Sequence, residues 1–553
     1  MLSKRTAWRV FGLALALSLL AMLASNNCRE MLKFTTIQPS PHRRISAVDS
    51  YIEAILEDTN TRNSSIARFI AKNIPSTTVT HSSRLPAKHT NSAPHHKTRN
   101  DNSTHEYDRK VFLMDAYLVD DQLIRITTIR KCKSKTRLTL HLRFNITTFS
   151  IPSNSQPIQS CPWFFARKCD FVGYFTHVNL PKVIMPPLMS EAMPDAFISS
   201  AEDKKSTRYP LRLRDVRTKK TNRRHKLAVC LQPIFLLADW TILVQFFETW
   251  IVQGATKFYV YVHSMAPEVD ALLRVYEADH NVDVERVHWA PLPVRNDVSP
   301  TDDPNFYIYR TEVVTAVNDC VLRSRGHAKY VVSSDLDEII VPFHNRSLLD
   351  LVHSLKMASP NAGAFVFLSS YAMFENGWAD ADRPGSITFE KFAEIKLEEY
   401  IWPSGQRSKM IMIPELIRSA HVHTVLHTEK HAKIVTVPTN DAIVFHLRRV
   451  VKRDNITTNG TKISNELMRF VEPCNKLWSE RQKQIRDIRD AQLLHKKVWP
   501  NRGLKVMEEL EKCLVADFAY RAQTCNSPFK CIDAIKAVRR KEWIWAKQTW
   551  TVL

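Results

Sequence analysis

The sequence predicts an α/β protein: a doubly wound, mostly parallel sheet, preceded by a small β-rich domain and an N-terminal membrane anchor. Three observations predict it. From Leu227 to about Val450, short apolar runs of strand length alternate with stretches whose apolar residues recur at helical spacing, the order that a sheet with helical crossovers requires. Ahead of that segment lie period-two runs with no helical spacing, the pattern of half-buried strands. The chain opens with Lys4, Arg5 and Arg9 before an apolar run from Val10 to Ala24.

In chain order, residues 1–9 read as a cytoplasmic tail and 10–24 as a signal anchor, because a positive flank favours the cytoplasmic side. A cleaved signal peptide ending near Ala24 or Ser25 is the alternative. Residues 25–106 are rich in Ser, Thr, Asn, His, Pro and Lys, the composition of a solvated stem. Residues 107–198 carry alternating runs such as Leu138 to Leu142 and Phe171 to Phe175 and read as the β-rich domain; 199–226 is a polar, basic linker.

The α/β domain spans 227–460. Val229 to Leu237 begins it as a strand, and Trp240, Leu243, Phe246, Phe247, Trp250 and Ile251 then recur on one helical face. Phe258 to Val262 and Val282 to Trp289 are further strands; Val313, Val314, Val317 and Val321 mark a helix, and Lys329 to Ser334 a strand after it. Residues 461–553, dense in Lys, Arg, Glu and Trp, read as a helical cap whose tryptophans are buried or touch sugar rings.

Six N-x-[ST] sequons, at Asn63, Asn102, Asn145, Asn345, Asn455 and Asn459, fit a luminal chain. Ten cysteines occur, Cys28 just past the anchor and nine from Cys132 onward. Nine is odd, so at least one of these is unpaired or bonds outside the set, and Cys161 with Cys169 and Cys525 with Cys531 are the local candidate bridges. No C-x-x-C occurs, which argues against a structural zinc site. The formal charge of +22 is spread along the chain with no nucleic-acid recognition motif, so a solvated basic surface facing membrane or glycans is expected rather than a nucleic-acid partner.

Only 10 glycines occur, and their spacing excludes GxGxxG, GxxxxGK[ST] and GxSxG. A protein of this architecture that handles a nucleotide must therefore manage its phosphates with a metal. The run Tyr330-Val331-Val332-Ser333-Ser334-Asp335-Leu336-Asp337-Glu338 supplies the place. A buried strand delivers Asp335 and Asp337 at its carboxyl end, where ligands bind in open α/β sheets, and strand periodicity points the two the same way. Hard carboxylate oxygens suit Mn²⁺ or Mg²⁺ on a diphosphate. In the bland alternative, Asp335 begins a turn and Asp337 faces water.

Four segments resemble glycosyltransferase family 92, with its GT-A fold: Ile234 to Val262; Asn318-Asp319-Cys320; Lys329 to Pro342; and Ser408-Lys409 through His446-Leu447-Arg448. The resemblance implies inverting, metal-dependent transfer, commonly of galactose from UDP-galactose to a glycan acceptor; with the basic flank and the sequons, a single-pass type II protein of the Golgi membrane with a luminal catalytic domain is expected. It implies Glu375 as general base, with Asp380 and Asp382 competing, and His446 or His423 as a further metal ligand. Asp335 and Arg448 are expected to contact the diphosphate, with Lys409 a weaker candidate. Asn318 and Asp319 would orient a ribose or uracil, or merely bond neighbouring backbone; Asp239 would meet the nucleotide, or cap the helix at Trp240. A non-catalytic, membrane-anchored glycan-binding protein is the other reading.

Overall fold

The computed structural model describes residues 106–553 apart from 164–165, 167, 185–192, 204, 206, 219–222, 376, 379, 430, 451–460, 488–497 and 519–524. The expected tail, anchor and stem, with sequons Asn63, Asn102, Asn455 and Asn459, lie outside the described residues. No helix among the described residues is long and apolar enough to cross a membrane.

A first sheet is formed by β1 (Val111–Asp120), β2 (Leu123–Lys131), β3 (Leu138–Phe144), β4 (Thr147–Pro152), β5 (Asn154–Pro157), β6 (Phe171–Asn179), β7 (Asp195–Ser200) and β8 (Tyr209–Asp215), in the order β4-β3-β7-β8-β1-β2-β6-β5. Strand β8 falls in the stretch expected as a linker. Its Leu211 and Leu213 alternate with Arg212 and Arg214, and it pairs parallel to β1.

The rest of the described chain runs through β9 (His225–Ile234), α1 (Trp240–Val252), β10 (Ala255–Val262), β11 (Ser264–Met265), α2 (Pro267–Glu277), β12 (Asp283–His288), α3 (Val313–Ser324), β13 (Ala328–Ser334), β14 (Glu338–Pro342), α4 (Leu348–Ala358), β15 (Ala362–Phe367), β16 (Ser369–Glu375), β17 (Lys396–Glu398), β18 (Lys409–Met412), β19 (Ile417–Ala420), β20 (Val425–Thr428), β21 (Lys433–Thr436), β22 (Ala442–Val450), β23 (Thr461–Ile463), α5 (Met468–Asp487), α6 (Gly503–Phe518), β24 (Ile544–Trp545) and β25 (Thr551–Val552). The central sheet has the order β12-β10-β9-β13-β18-β15-β21. Strands β12, β10, β9 and β13 are parallel, whereas β18 is antiparallel to both its neighbours. A further sheet, β14-β22-β16-β17-β23, stands beside it.

Helix α1 forms where the apolar spacing placed it. Asp239 caps it by accepting from the Thr241 amide at 3.0 Å, and Gly254, at φ +92°, takes the left-handed turn that ends it. Trp240, Leu243, Phe246, Phe247 and Trp250 are buried in the larger core with α2 and the second sheet. Truncating a buried Phe such as Phe247 to Ala costs about 3–5 kcal/mol. The opposite face of the central sheet packs on α3 and the first sheet.

The local cysteine pairings are corrected: the bridges are Cys132–Cys161, Cys169–Cys525, Cys230–Cys320 and Cys513–Cys531. Chain proximity misleads here because Cys169 and Cys525, 356 residues apart, are brought together by tertiary packing. Cys474 is the free, buried thiol among the described residues. The C-terminal part is also more than a helical cap, since β24 pairs with β11 and β25 with β1. Of its tryptophans, Trp478, Trp499, Trp543 and Trp550 are buried.

Candidate active site

Strand β13 stops at Ser334, and the chain crosses through Asp335-Leu336-Asp337 to begin β14 at Glu338 in the other sheet. The triplet is therefore a turn between two sheets, and strand periodicity does not govern it. The two carboxylates consequently take different partners. Asp335 Oδ2 accepts from Lys409 Nζ at 2.9 Å, while Asp337 Oδ2 lies 3.2 Å from His446 Nε2 and 3.5 Å from Arg448 Nη1. The register explains the meeting: β22 places His446 opposite Glu338 on one side and Tyr371 on the other.

Glu338 lies beneath the turn. It accepts from Lys409 Nζ at 3.0 Å and from the Asp335 amide at 3.2 Å, and its other oxygen stands 3.6 Å from His446 Nδ1. Burial, reinforced by Asp335 and Asp337 against the pull of Lys409, pushes its carboxyl up to about 8. Burial and then Arg448 push His446 down to about 4, so its imidazole is neutral at physiological pH. Burial works to raise Asp337, but the imidazole and Arg448 outweigh it and hold the carboxyl at about 2. At neutral pH the site thus presents an ionised carboxylate beside a neutral imidazole.

The other expected residues are placed as follows. His423 Nδ1 donates to the Ser408 carbonyl at 3.1 Å. Asp239 is spent on the α1 cap and on Asn501 at 3.1 Å. Asn318 is tied to the Ala420 amide and carbonyl at 2.9 and 2.7 Å. Asp319 accepts from Tyr117, Tyr261 and Arg323 between the layers. These contacts give Asp239, Asn318 and Asp319 packing partners rather than the ends of the central strands. Glu375 ends β16 four residues beyond Tyr371, roughly 13 Å along the strand from the level of His446; its side chain lies outside the described residues. Asp380 and Asp382 are exposed, each beside a cation, Lys391 at 3.5 Å and Arg383 at 4.0 Å.

Sequence reasoning quoted Glu338 without giving it a role and missed Tyr371 and Arg407. Arg407 is buried and lies 5.3 Å from the Tyr371 ring, which Arg448 approaches at 4.9 Å. Tyr371 is placed by the pairing of β16 with β22 and Arg407 by the loop that leads into β18, neither of which a single sequence displays.

Among the described residues no group of three or more His, Cys, Asp or Glu gathers around a common point. Two do fit a divalent cation. Neighbouring octahedral ligands held at about 2.1 Å from a small hard ion stand roughly 3.0 Å apart, close to the 3.2 Å between Asp337 Oδ2 and His446 Nε2.

Residues 225–495 match the family model described as glycosyltransferase family 92. Two Caenorhabditis elegans proteins are similar: glycosyltransferase family 92 protein F59C6.8, 23% identical over 43% of this chain and 44% of its own length, and glycosyltransferase family 92 protein ZK381.2, 21% identical over 41% and 42%. The chain therefore spans less than half the length of these curated relatives. Among solved structures, the mannosyltransferase PcManGT from Pyrobaculum calidifontis, in complex with GDP-Man and Mn²⁺, is 12% identical over 57% of this chain and 86% of that chain, with a TM-score of 0.23, a likeness too slight to weigh. The turn between two sheets, with Asp337, His446 and Arg448 around it, lies inside the span that matches the glycosyltransferase family 92 model and that these relatives share.

Proposed function

We propose that the protein is a metal-dependent, inverting glycosyltransferase of the secretory lumen, moving a sugar, galactose in the first instance, from a UDP-sugar donor to a glycan. The observation that carries the reading is the convergence of Asp337 Oδ2 and His446 Nε2 at 3.2 Å within the family 92 span. Asp337 and His446 would hold Mn²⁺ or Mg²⁺, with water and donor phosphate completing the shell, as small hard cations bound by few protein ligands commonly do. When bound, the ion neutralises charge on the departing nucleoside diphosphate.

The chain's own residues do the rest. Arg448 Nη2 donates to His446 Nδ1 at 3.2 Å, so the neutral ring carries its proton on Nε2, towards Asp337 Oδ2. An ion held at Nε2 would require that proton to move to Nδ1, where Glu338 Oε1, 3.6 Å away, is the oxygen it would face. Lys409 balances Asp335, and Arg448 balances Asp337. The ionised pairs are therefore neutral before the ion arrives, so the ion adds net positive charge that draws a diphosphate. Four disulfides among the described residues support an oxidising compartment, and the basic N-terminal flank supports a type II anchor in the Golgi membrane. The galactose assignment and the inverting course rest on the family resemblance.

The test is a UDP-sugar panel with a glycan array, read by mass spectrometry in Mn²⁺ and in EDTA. The proposal expects transfer from one donor that EDTA abolishes. No turnover of any donor, with glycan binding that EDTA removes, would instead make the protein a lectin.

A further inference from the structure

We infer that Tyr400 and Trp402 form the acceptor subsite, a stacking platform for a sugar ring of the glycan; this rests on the transferase reading above. The loop between β17 and β18 leaves Tyr400 53% exposed, keeps Trp402 partly covered and exposes Pro403 to Gly405 before burying Arg407, Ser408 and Lys409. Ring contacts then run inward without a break. Tyr400 meets Trp402 at 5.1 Å, Trp402 meets Tyr371 at 5.6 Å, and Tyr371 meets His446 at 5.6 Å. The row starts in solvent and ends on the imidazole that touches Asp337.

The loop is shaped at a cost. Arg407 is a buried non-glycine residue at φ +55°, a conformation that costs about 1 kcal/mol or more and persists where surroundings enforce it. There its guanidinium covers the Trp402 ring at 4.3 Å. With Trp402 so covered, Tyr400 is the open ring. An exposed loop tyrosine touching one other ring adds little to the core, so packing alone does not account for its position at the mouth of this row.

A sugar fits the place chemically. Its C–H faces carry partial positive charge that complements the negative face of an aromatic ring, and its hydroxyls need donors. Trp402 Nε1 is a buried donor with no partner among the described residues, an arrangement that costs about 1–3 kcal/mol and that a hydroxyl would relieve. The donor's diphosphate belongs at the buried end, beside Arg448, so the exposed end is left for the acceptor.

The experiment measures binding of neutral oligosaccharides on an array, without nucleotide, by the wild-type protein, Tyr400→Ala and Tyr400→Phe, with melting midpoints recorded for all three. Wild type should bind one glycan class, Tyr400→Ala should bind it about 10-fold more weakly, the value of one ring contact, and Tyr400→Phe should stay near wild type because the ring remains. Equal binding by Tyr400→Ala, or no glycan binding by the wild-type protein, overturns the subsite. Donor hydrolysis by the wild-type protein in Mn²⁺ is a separate readout: its absence would remove the transferase reading and leave the binding result standing.

Discussion

The clusters around Asp319 and around Asp337 are built from the same kinds of residue, and one closes on itself while the other does not. At the closed cluster Asp319 accepts from Tyr117 at 2.6 Å, Thr127 at 3.3 Å, Tyr261 at 2.5 Å and Arg323 at 3.1 Å. Arg323 goes on to Asp115 and Glu285 at 2.9 and 3.0 Å. Burial works to raise the Asp319 carboxyl, and Arg323 with the two phenols brings it below its usual range. At the open cluster Glu338 Oε1 and Arg448 Nε have no hydrogen-bond partner among the described residues. A buried ionic group that is fully partnered joins layers; one with atoms left over is set to receive something.

The largest effect should come from breaking the closed cluster. Asp319→Ala leaves the Tyr117 and Tyr261 hydroxyls buried without their acceptor and takes from Arg323 one of its three carboxylates. It should cost about 3–5 kcal/mol, read as a large fall in the unfolding midpoint or loss of folded protein. An unchanged midpoint would remove the distinction between the clusters.

A second prediction probes the same interlayer region by pH. Burial raises the Glu312 carboxyl from 4.5 to about 7, and its Oε1 accepts from the Gly173 amide at 2.9 Å and Thr315 at 2.8 Å. Gly173 is required there, since a Cβ would sit 1.8 Å from Thr315 Oγ1. Because the folded state holds its proton to higher pH than the unfolded chain, stability should fall as pH climbs from about 4.5 to about 7 and level off above, by up to about 3 kcal/mol. Glu312→Gln keeps the acceptor and should flatten that part of the profile; an unaltered difference in midpoint between pH 5 and pH 8 would refute it.

The smallest of these effects lies at the open cluster. His446→Ala should weaken Mn²⁺ binding about 10–100-fold, measured by calorimetry, with little change in folding. Unchanged affinity would take His446 off the ligand set.

Much of this frame was legible in the sequence, for identifiable reasons. The apolar face from Trp240 to Trp250 and the run ending at Ser334 have strong periodicity, so α1 and β13 lie where expected. The parting of Asp335 from Asp337 was not legible, because it depends on the chain leaving one sheet for another between Ser334 and Glu338. Strand β8 was readable in Leu211 and Leu213 but was masked by its arginines. Tyr371 reaches the site through the pairing of β16 with β22, and Trp402 and Arg407 through the short loop between β17 and β18, placements that no local pattern encodes. The cysteine bridges failed for the same reason, distance along the chain.

The central claim, that the open cluster serves chemistry and the closed one serves folding, is tested most directly by Asp337→Ala. Donor turnover in Mn²⁺ and the unfolding midpoint are measured on one preparation. The account predicts turnover lowered about 100-fold or more with a fall in midpoint clearly smaller than that of Asp319→Ala, since the Asp337 side chain is 22% exposed and that of Asp319 fully buried. Turnover retained at wild-type level, or a collapse of the midpoint like that of Asp319→Ala, would contradict it.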